Sequence, residues 1–508
     1  MPSLLGIDSG LTVTKAVIFD IDGTPLAVAR QRIEQEMPAP RHVERDMHAM
    51  WKAASSAIRE AIERSGRPAS DILAVAATAH GDGIYLIDKA GEPLGRAILS
   101  LDTRAAEIAD AWNASGTGAH ALELTGQRPH ASAPSALLAW IRTHEPERFE
   151  AIRHFMAAKD WLCHCLTGNY ATDRTEASTS FTDVRTQGYT RDAFGLYGLE
   201  RLFDRAPEPL ASTAVAGRVT EAAAAATGLL AGTPVAAGLH DVTASALGIG
   251  AYRMGVAAII AGTYSINEVV SDAPKIDGRW FCRNGISTGE WNNMSISPAS
   301  TANYDWFTET LCAADIAQQT ATGASIHERM FREYRETETS GVLFHPYLFG
   351  SPMAGQSTAS FLGLNAWHGR GHMVKAVLEG IAYNHRIHIN ALQQGFQPQK
   401  AKLTGGISRN PLVGQLFADV LGIPIITSDT AEAAAWGAAL CAGVAAGVYD
   451  EVTADPRDLD AIETIYMPDT AQTALHNRKF DLFMELANTL APFWPRLQAL
   501  ETSGGAAR

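Results

Sequence analysis

The chain opens with short apolar segments that alternate with turn-forming residues. Residues 4–8 (LLGID) and 15–20 (KAVIFD) are apolar runs of strand length, and the turn-prone stretch SGLTVT separates them. Asp22 and Gly23 then supply a turn into a third apolar segment, LAVARQRI. The pattern predicts a β-hairpin that continues as a three-stranded meander.

Helical periodicity begins after this meander. We expect a helix at about residues 46–65, because Asp46 is a suitable N-cap and Gly66 suits the position just past the C-terminus. The next segment, ILAVAATAHG, is typical of a buried strand. Residues 134–170 keep a helical period that is interrupted near Pro146.

The segment 255–270 repeats the pattern of the chain's opening. An apolar strand, a small-residue turn that contains Gly262 and Thr263, and a second apolar strand follow in order. Strands and helices continue to alternate, and an amphipathic helix at about 475–500 closes the pattern. The repeat predicts two α/β domains with a cleft between them, each beginning with a hairpin that faces phosphate.

The length and composition of the chain agree with two buried cores. A chain of 508 residues is too long for one core, and 46% hydrophobic with 19% charged residues is a globular balance. We expect a first domain at residues 1–250, a second at 251–470, and a C-terminal helix and tail at 471–508.

Charge and cysteine usage exclude several classes of function. The net charge is −14, and no basic stripe is present, so a nucleic-acid partner is not expected. The five cysteines are scattered, and the close pair Cys163 and Cys165 lies in an apolar run typical of a buried helix, not of a metal site. Neither a signal peptide nor an 18-residue apolar stretch is evident, so we expect a cytoplasmic protein without a membrane partner.

The turn of the first hairpin has the residue types of a phosphate-binding loop. Gly10 lets backbone N–H groups approach an anion, Thr12 adds a hydroxyl, and Lys15 can counter phosphate charge. Beside phosphates, the acceptor-only Asp8 makes sense mainly as a Mg²⁺ ligand, directly or through water. Alone, the motif fits a plain hairpin equally well. Gly262 and Thr263 form the matching turn in the second half.

Two further segments complete the candidate chemistry. In LTGGISRNPLVG, Gly405 and Gly406 clear room for a flat ring, and Asn410 opens a helix whose N-terminus favours polar or anionic groups. A well-capped strand-to-helix connection would look the same. The strand TPVAAGLHD carries Asp241 at its carboxyl end, where sites of α/β sheets gather. Asp241 is a candidate base for an alcohol proton, or a helix N-cap, and His240 is expected to be structural.

Together these motifs resemble the FGGY carbohydrate kinases of the actin–hexokinase superfamily, from the first strand to about residue 469. The longest match is GVLFHPYLFG followed by FLGLNAWHGRGHMVKAVLEGIAY. The resemblance implies two ribonuclease-H-like domains, ATP and Mg²⁺ as cofactors, and a small sugar or polyol substrate. It implies Asp241 as general base, Asp8 as metal ligand, and nucleotide-binding roles for Gly10, Thr12, Lys15, Gly262, Thr263, Gly405, Gly406 and Asn410.

The resemblance also implies a sugar site in the first domain. The residues that match sugar-contacting loops are His80, Gly81, Asp82, Asp102 and Arg104. Two departures stand out: Leu11 where many members have Thr, and Val242 where D-xylulose kinases usually have Asn. Because the loop around His80 is more similar to the L-xylulose and erythritol kinase branches, we expect a ketopentose or tetritol-like substrate.

Two alternative functions are weighed against the kinase. The segment AVIFDIDGTPL resembles the first motif of haloacid-dehalogenase phosphatases, with Asp20 as nucleophile and Asp22 as acid/base. That family also needs a later Lys and a downstream acidic pair, for which the sequence offers no convincing candidates. A catalytically silent sugar sensor of the same fold is the other alternative, against which the intact Asp241 and Lys15 argue. Assembly as a homodimer is left open.

Overall fold

Strands and helices alternate along most of the chain. The computed structural model describes residues 1–322, 325–353 and 357–504, so residues 505–508 of the expected tail lie outside the described residues. In chain order the strands are β1 (Ser3–Ser9), β2 (Val13–Asp20), β3 (Pro25–Arg32), β4 (Glu44–Arg45), β5 (Ile72–Ala79), β6 (Tyr85–Ile87), β7 (Ala97–Ile98), β8 (His154–Met156), β9 (Thr172–Asp173), β10 (Pro209–Leu210), β11 (Val215–Arg218), β12 (Pro234–Ala236), β13 (Leu239–His240), β14 (Val256–Ala261), β15 (Ser265–Ser271), β16 (Phe281–Asn284), β17 (Trp291–Ser297), β18 (Leu343–His345), β19 (Ser360–Leu362), β20 (Lys400–Thr404), β21 (Ile425–Ser428) and β22 (Glu463–Tyr466).

The helices vary from single turns to 27 residues. In chain order they are α1 (Met47–Ser65), α2 (Ala106–Ala114), α3 (Gly116–Thr125), α4 (Pro134–His144), α5 (Pro146–Ala151), α6 (Ala158–Thr167), α7 (Arg174–Ala177), α8 (Arg191–Gly195), α9 (Glu221–Thr227), α10 (Asp241–Gly248), α11 (Ala302–Leu311), α12 (Ala313–Thr322), α13 (Ile326–Glu336), α14 (Arg370–Phe396), α15 (Pro411–Leu421), α16 (Ala433–Ala445), α17 (Leu459–Ile462), α18 (Thr470–Leu490) and α19 (Trp494–Gly504).

The predicted meander and first helix are both confirmed. β1 pairs with β2 and β2 with β3, each antiparallel. The Asp46 side chain caps α1 by accepting a hydrogen bond from the backbone N–H of Ala49 at 2.8 Å. Gly66 ends the helix in the left-handed conformation at φ 63°, which glycine adopts without strain.

The predicted helical region at 134–170 is interrupted by a strand that periodicity did not show. α4, α5 and α6 form as expected, but β8 lies between α5 and α6 and pairs antiparallel with β6. Phe155 and Met156 of β8 are buried. Three residues are too few for a period to be read, so only the pairing with β6 reveals this strand.

The chain groups into two units. The first consists of Met1–Arg253, Val270–Asn293 and Thr430–Leu459, and the second of Met254–Val269, Met294–Asp429 and Asp460–Arg508. Both units alternate strands with helices. The contiguous limits expected at 250 and 470 stay predictions.

A mixed sheet forms the centre of the first unit. Its strand order is β11-β12-β5-β1-β2-β3, and β13 also pairs with β5. α16 packs directly on this sheet through small residues: a Cβ at Gly6 of β1 would overlap the carbonyl oxygen of Ala435, and a Cβ at Gly437 would overlap that of Ala244 in α10. Trp436 fills the space beside these contacts and is fully buried.

The second unit has its own sheet, with the neighbouring strands β15-β14-β20-β21-β22. β14 pairs parallel with β20, and β20 with β21. α18 packs on α14, where Lys479 contacts the carboxylate of Glu379 and the Tyr383 hydroxyl lies 2.8 Å from Nδ1 of His476. None of the described helices combines the length and apolar character that crossing a bilayer requires.

Candidate active site

The carboxyl ends of three parallel strands meet at one edge of the first unit's sheet. β5 pairs with β1 on one side and with β13 on the other, so that Ser9 aligns with Ala79, and Ala79 with His240. Neighbouring strands lie about 4.8 Å apart. The hairpin turn after β1, the loop that begins at His80 and the residue Asp241 therefore come together from three separate segments.

Asp241 is positioned at this edge as the first residue of α10. His240, not Asp241, occupies the N-cap position, so the N-cap alternative is wrong. Oδ1 of Asp241 accepts a hydrogen bond from the backbone N–H of Val242 at 2.8 Å, and 32% of the side chain is exposed. Burial, followed by the negative charge of Asp8, raises the pKa of Asp241 to about 7. Such a carboxylate is suited to accept a proton near neutral pH.

A chain of polar contacts leads from Asp82 to Asp241. Arg283 donates from Nη2 to Oδ1 of Asp82 at 3.1 Å, and its Nη1 lies 3.3 Å from Nε2 of His240. Burial, followed by the charge of Arg283, lowers the pKa of His240 to about 4, so the ring is neutral. Because a guanidinium only donates, Nε2 accepts and the ring proton resides on Nδ1. That atom lies 3.2 Å from Oδ1 of Asp241, but the two atoms do not have the geometry of a hydrogen bond.

Asp82 anchors the other end of this chain as an ionised carboxylate. Burial is the largest single influence and acts to raise the pKa of Asp82. Interactions with Arg283, His130 and His240 together outweigh it and hold the pKa below its ordinary value. Asp82 has φ 54°, in the left-handed region that few non-glycine residues adopt. Its backbone is therefore held by surrounding contacts, as at many functional sites.

The two residues before Asp82 support the chain of contacts. A Cβ at Gly81 would overlap Nε2 of His240, so glycine leaves room for the ring. His80 is buried, with Nε2 3.2 Å from the Tyr85 hydroxyl. Burial, followed by the charge of Arg45, lowers the pKa of His80 to about 3. Both residues therefore pack against protein groups, and their contact with a sugar stays a prediction.

The turn of the first hairpin is fixed by hydrogen bonds on both sides. Gly10 donates from its backbone N–H to the carbonyl of Val13 at 3.0 Å. The carbonyl of Leu11 accepts from Nε2 of Gln35 at 2.8 Å and from the buried guanidinium of Arg45. Leu11 lacks the hydroxyl that Thr would supply at this position, but two side chains hold its backbone in place.

Lys15 and Asp8 face each other across this hairpin. Nζ of Lys15 lies 3.5 Å from Oδ2 of Asp8 and 2.8 Å from Oε2 of Glu432, which also contacts Arg30. Burial raises the pKa of Asp8 above its ordinary value. The charge of Lys15 acts to lower this pKa, and the charge of Glu432 acts to raise it. Thr12 is exposed at the tip of the turn. Two ionic groups and an exposed hydroxyl at the tip of the turn thus lie close together on this hairpin.

Asp102 and Arg104 form a closed ionic cluster. Arg104 donates to Asp102 from Nε and from Nη2, the latter at 2.7 Å, and also to Glu44 at 2.7 Å. Asp102 in turn accepts from the backbone N–H of Val43 at 2.7 Å. The two side chains are 0% and 1% exposed, and the guanidinium lies over the ring of Trp140. Their contacts brace the loop that carries Val43.

In the second unit, hydrogen bonds from Thr301 fix the turn after β14. Thr301 donates to the carbonyl of Gly262 from its backbone N–H at 3.0 Å and from its hydroxyl at 2.6 Å. The neighbouring Ser300 hydroxyl lies 3.2 Å from Nε2 of the buried His385. Thr263 itself is exposed. The turn is fixed through its carbonyl, which leaves the outward-facing groups of Thr263 accessible.

Gly405 follows β20 at the same edge, since β14 and β20 are parallel neighbours. It has φ 121°, and a Cβ there would overlap the carbonyl oxygen of Ala261, so only glycine fits. Gly406 is exposed. Asn410 caps α15 by accepting from the backbone N–H of Leu412 at 3.0 Å, and it borders an open groove formed with residues of α13, α14 and α18.

The acidic residues of the phosphatase alternative have structural partners. Asp20 ends β2 and forms an ion pair with Arg67 at 3.2 Å. Oδ1 of Asp22 accepts from the backbone N–H of Thr24 at 2.9 Å within the β2–β3 turn. Within the described ranges, no group of three or more histidine, cysteine or acidic side chains is arranged to hold a metal ion.

Arg283 and Glu432 contact site residues but were not predicted. Arg283 lies on β16, and its bond to Asp82 joins residues 201 positions apart. Glu432 precedes α16 and has φ 58°. No local motif marks either residue, because their role depends on strand and helix packing that brings distant segments together.

Comparison with known proteins shows the family of the chain. The N-terminal and C-terminal domain models of the FGGY family of carbohydrate kinases match residues 3–248 and 257–446. An L-xylulose/3-keto-L-gulonate kinase of Escherichia coli is 31% identical over 97% of this chain and 98% of its own length. An erythritol kinase of Brucella abortus is 29% identical, with 97% of each chain covered.

A solved structure with the same fold is a xylulose kinase from Rhodospirillum rubrum. It is 27% identical, with a TM-score of 0.84 over 97% of this chain and 99% of that one. These similarities support neither the phosphatase nor the sensor alternative. The chain therefore belongs to the FGGY family of carbohydrate kinases, which are phosphotransferases.

Proposed function

We propose that this protein transfers the γ-phosphoryl group of ATP to a hydroxyl of a small ketose or polyol, with a ketopentose or tetritol as the substrate class. Its relatives named as L-xylulose and erythritol kinases support this class. The observation that carries the proposal is Asp241, a partly exposed carboxylate with a pKa of about 7 at the carboxyl edge of the sheet.

Asp241 is the general base of the proposed reaction. The substrate hydroxyl oxygen attacks the γ-phosphorus, its proton passes to the carboxylate of Asp241, and the bond to the β–γ bridging oxygen breaks to release ADP. A base is most effective when its pKa lies near the working pH. A more acidic carboxylate would accept the proton less readily, so burial of Asp241 contributes directly to the chemistry.

His240 holds Asp241 in position. Its Nδ1 lies 3.2 Å from Oδ1 of the base, while Arg283 contacts the ring from the other side. The neutral ring does not add a positive charge beside the base, which would lower the pKa of Asp241. Asp82, Gly81 and His80 belong to the same support.

Asp8 fits a magnesium ligand by its chemistry. Mg²⁺ prefers hard oxygen ligands and keeps several waters, so one carboxylate is sufficient for attachment. The pKa of Asp8 is raised by burial and by the charge of Glu432, and Asp8 in turn raises the pKa of Asp241. A cation would relieve that crowding of negative charge. When bound, Mg²⁺ would neutralise charge on the phosphate oxygens.

ATP recognition is assigned to backbone groups in both units. In the first unit, Gly10 and Thr12 present the turn and Lys15 supplies a positive charge. The second unit offers the turn at Gly262 and Thr263 for phosphate, and Gly405, Gly406 and Asn410 for the adenosine moiety. The left-handed Gly405 and the start of α15 support this assignment.

The sugar-contacting role of Asp102 and Arg104 is proposed in an indirect form. These side chains neutralise each other in a buried cluster. We therefore assign them the role of supporting the loop around Val43, whose backbone N–H donates a hydrogen bond to Asp102. Asp82, with a partly exposed carboxylate, is the better candidate for direct contact.

Matched aspartate variants test the proposal. Asp241→Asn keeps the shape of the side chain, so folding and ATP binding should persist, while sugar-dependent ADP release should fall by at least about a hundredfold. Asp20→Asn makes the same chemical change at a turn residue and should alter turnover by no more than a few-fold. An inactive Asp20→Asn enzyme beside an active Asp241→Asn enzyme would overturn the kinase mechanism.

A further inference from the structure

A narrow cavity in the first unit has Asp82 of the candidate site in its wall. Its wall is mixed: Phe181 and Pro134 are apolar, while Asp82, Asp160, Glu176 and Tyr189 are polar or acidic. An apolar wall with a few convergent polar groups is the usual composition of a small-molecule site.

Polar contacts connect the cavity wall to His240, the neighbour of Asp241. Asp82 lines the cavity and also anchors Arg283, which contacts His240. The hydroxyl of Thr175 accepts a hydrogen bond from the backbone N–H of His240 at 2.9 Å. The residue that follows Thr175 is Glu176.

Glu176 has a buried carboxyl group without a protein partner. The residue is 3% exposed, and neither carboxyl oxygen has a hydrogen-bond partner in the part of the chain that the structure describes. Its backbone is well held, since the carbonyl accepts from the Thr179 hydroxyl at 2.9 Å. An unpartnered buried polar group is costly, so it needs a reason.

The nearby cation is already engaged by other carboxylates. Nζ of Lys159 lies 2.5 Å from Asp160 and 3.0 Å from Asp173. Both oxygens of Glu176 are therefore left for a group that enters the cavity. Burial, the largest influence, and then the nearby carboxylates raise the pKa of Glu176 well above its ordinary value despite Lys159. A protonated carboxyl both donates and accepts, as a sugar hydroxyl does.

The charges around the cavity discriminate among sugars. Its lining residues include three acidic side chains and no lysine, arginine or histidine. Arg283, the cation beside Asp82, is paired with that carboxylate. A carboxylate on the substrate would be buried without a free cation to pair with, which is unfavourable.

We propose that Glu176 is a specificity-determining residue that hydrogen-bonds a hydroxyl of the substrate, and that this cavity selects uncharged ketoses and polyols against sugar acids. The inference rests on the proposed kinase function and refines its substrate class. It separates this chain from a relative whose name includes an acidic sugar, 3-keto-L-gulonate.

A substrate panel tests the selectivity of the parent enzyme. ADP release is measured with L-xylulose and erythritol as neutral substrates and with 3-keto-L-gulonate and gluconate as acids. We expect kcat/KM for the better neutral substrate to exceed that for either acid by at least about tenfold. Equal or better use of an acid would overturn the inference and leave the kinase function standing. Absence of phosphorylation with every sugar and polyol would instead count against the kinase function.

Variants at Glu176 test the contact itself. Glu176→Gln keeps a group that donates and accepts, so KM for the neutral substrate should stay within a few-fold of the parent. Glu176→Leu should raise that KM by roughly 5- to 100-fold, the loss of one buried hydrogen bond, without changing KM for ATP. Glu123→Leu, an exposed site on α3, is the control. An unchanged KM for the sugar in Glu176→Leu would refute the contact. If that variant does not fold, Glu176→Asp replaces it, because its shorter side chain withdraws the carboxyl group from the cavity. A large rise in its KM for the sugar would support the contact, and an unchanged KM would refute it.

Discussion

Nδ1 of His240 lies 3.2 Å from Oδ1 of Asp241, while Nε2 of the same ring lies 3.3 Å from Arg283. The ring thus lies between a buried cation and the candidate base, with Nδ1 on the side of the base. Asn can place an N–H near the position of Nδ1, and Leu cannot. We expect His240→Leu to lower kcat by roughly 10- to 100-fold, a range typical of a misplaced catalytic group, and His240→Asn to retain more of the activity.

The readout for His240 must separate positioning from folding. KM for ATP and the thermal midpoint of unfolding are measured beside kcat in both variants. A positioning role predicts a fall in kcat with little change in KM for ATP. If His240→Asn and His240→Leu lose activity equally and in proportion to lost stability, the ring is only a packing element.

The pH dependence of kcat/KM follows from the pKa of Asp241. The carboxylate must be ionised to accept the hydroxyl proton, and burial together with Asp8 raises its pKa to about 7. Activity should therefore rise with pH and level off above pH 7, with an apparent pKa near that value. The profile is measured at saturating ATP. Asp8→Asn removes a neighbouring charge and should move this rise to lower pH, whereas full activity at pH 5 in the parent would contradict the assignment.

Two threonines distinguish the chemistry of the second turn from its architecture. The hydroxyl of Thr301 donates to the carbonyl of Gly262 at 2.6 Å, whereas Thr263 is exposed. Thr301→Val should lower the free energy of unfolding by about 1 kcal/mol. Thr263→Val should leave stability unchanged and raise KM for ATP. Thermal unfolding and ADP release in both variants give the comparison, and loss of stability in Thr263→Val with unchanged KM would make that turn purely structural.

Local signals explain which elements could be read from the sequence. The meander and α1 depend on alternation, a turn and two caps within a few residues, and each lies where expected. Asp241 could be found because it follows a buried strand and precedes a helix. The repeat of a hairpin at 255–270 was visible for the same reason: each hairpin is encoded by contiguous residues.

Contacts between distant segments explain what could not be read. Arg283 reaches Asp82 only through strand packing over 201 positions. α16 joins the first unit because Gly6 and Gly437 allow close backbone approach, and no local pattern reports such an approach. The closed pair of Asp102 and Arg104 was likewise hidden, since spacing alone does not show that two charges neutralise each other.

The ionisation of Glu176 makes stability depend on pH in a way that one variant can isolate. Burial and the nearby carboxylates Asp160, Asp173 and Asp241 raise its pKa in the fold despite Lys159, whereas an unfolded glutamate ionises near pH 4.3, roughly its ordinary value. The folded state therefore holds a proton that the unfolded state releases, and the contribution of Glu176 to stability is fully present below about pH 4 and declines as pH rises. Glu176→Gln cannot ionise, so its thermal midpoint relative to the parent should rise from pH 4 to pH 8. Asp20→Asn, which changes a paired surface carboxylate, is the control. A constant difference across this range would show that Glu176 is ionised in the fold.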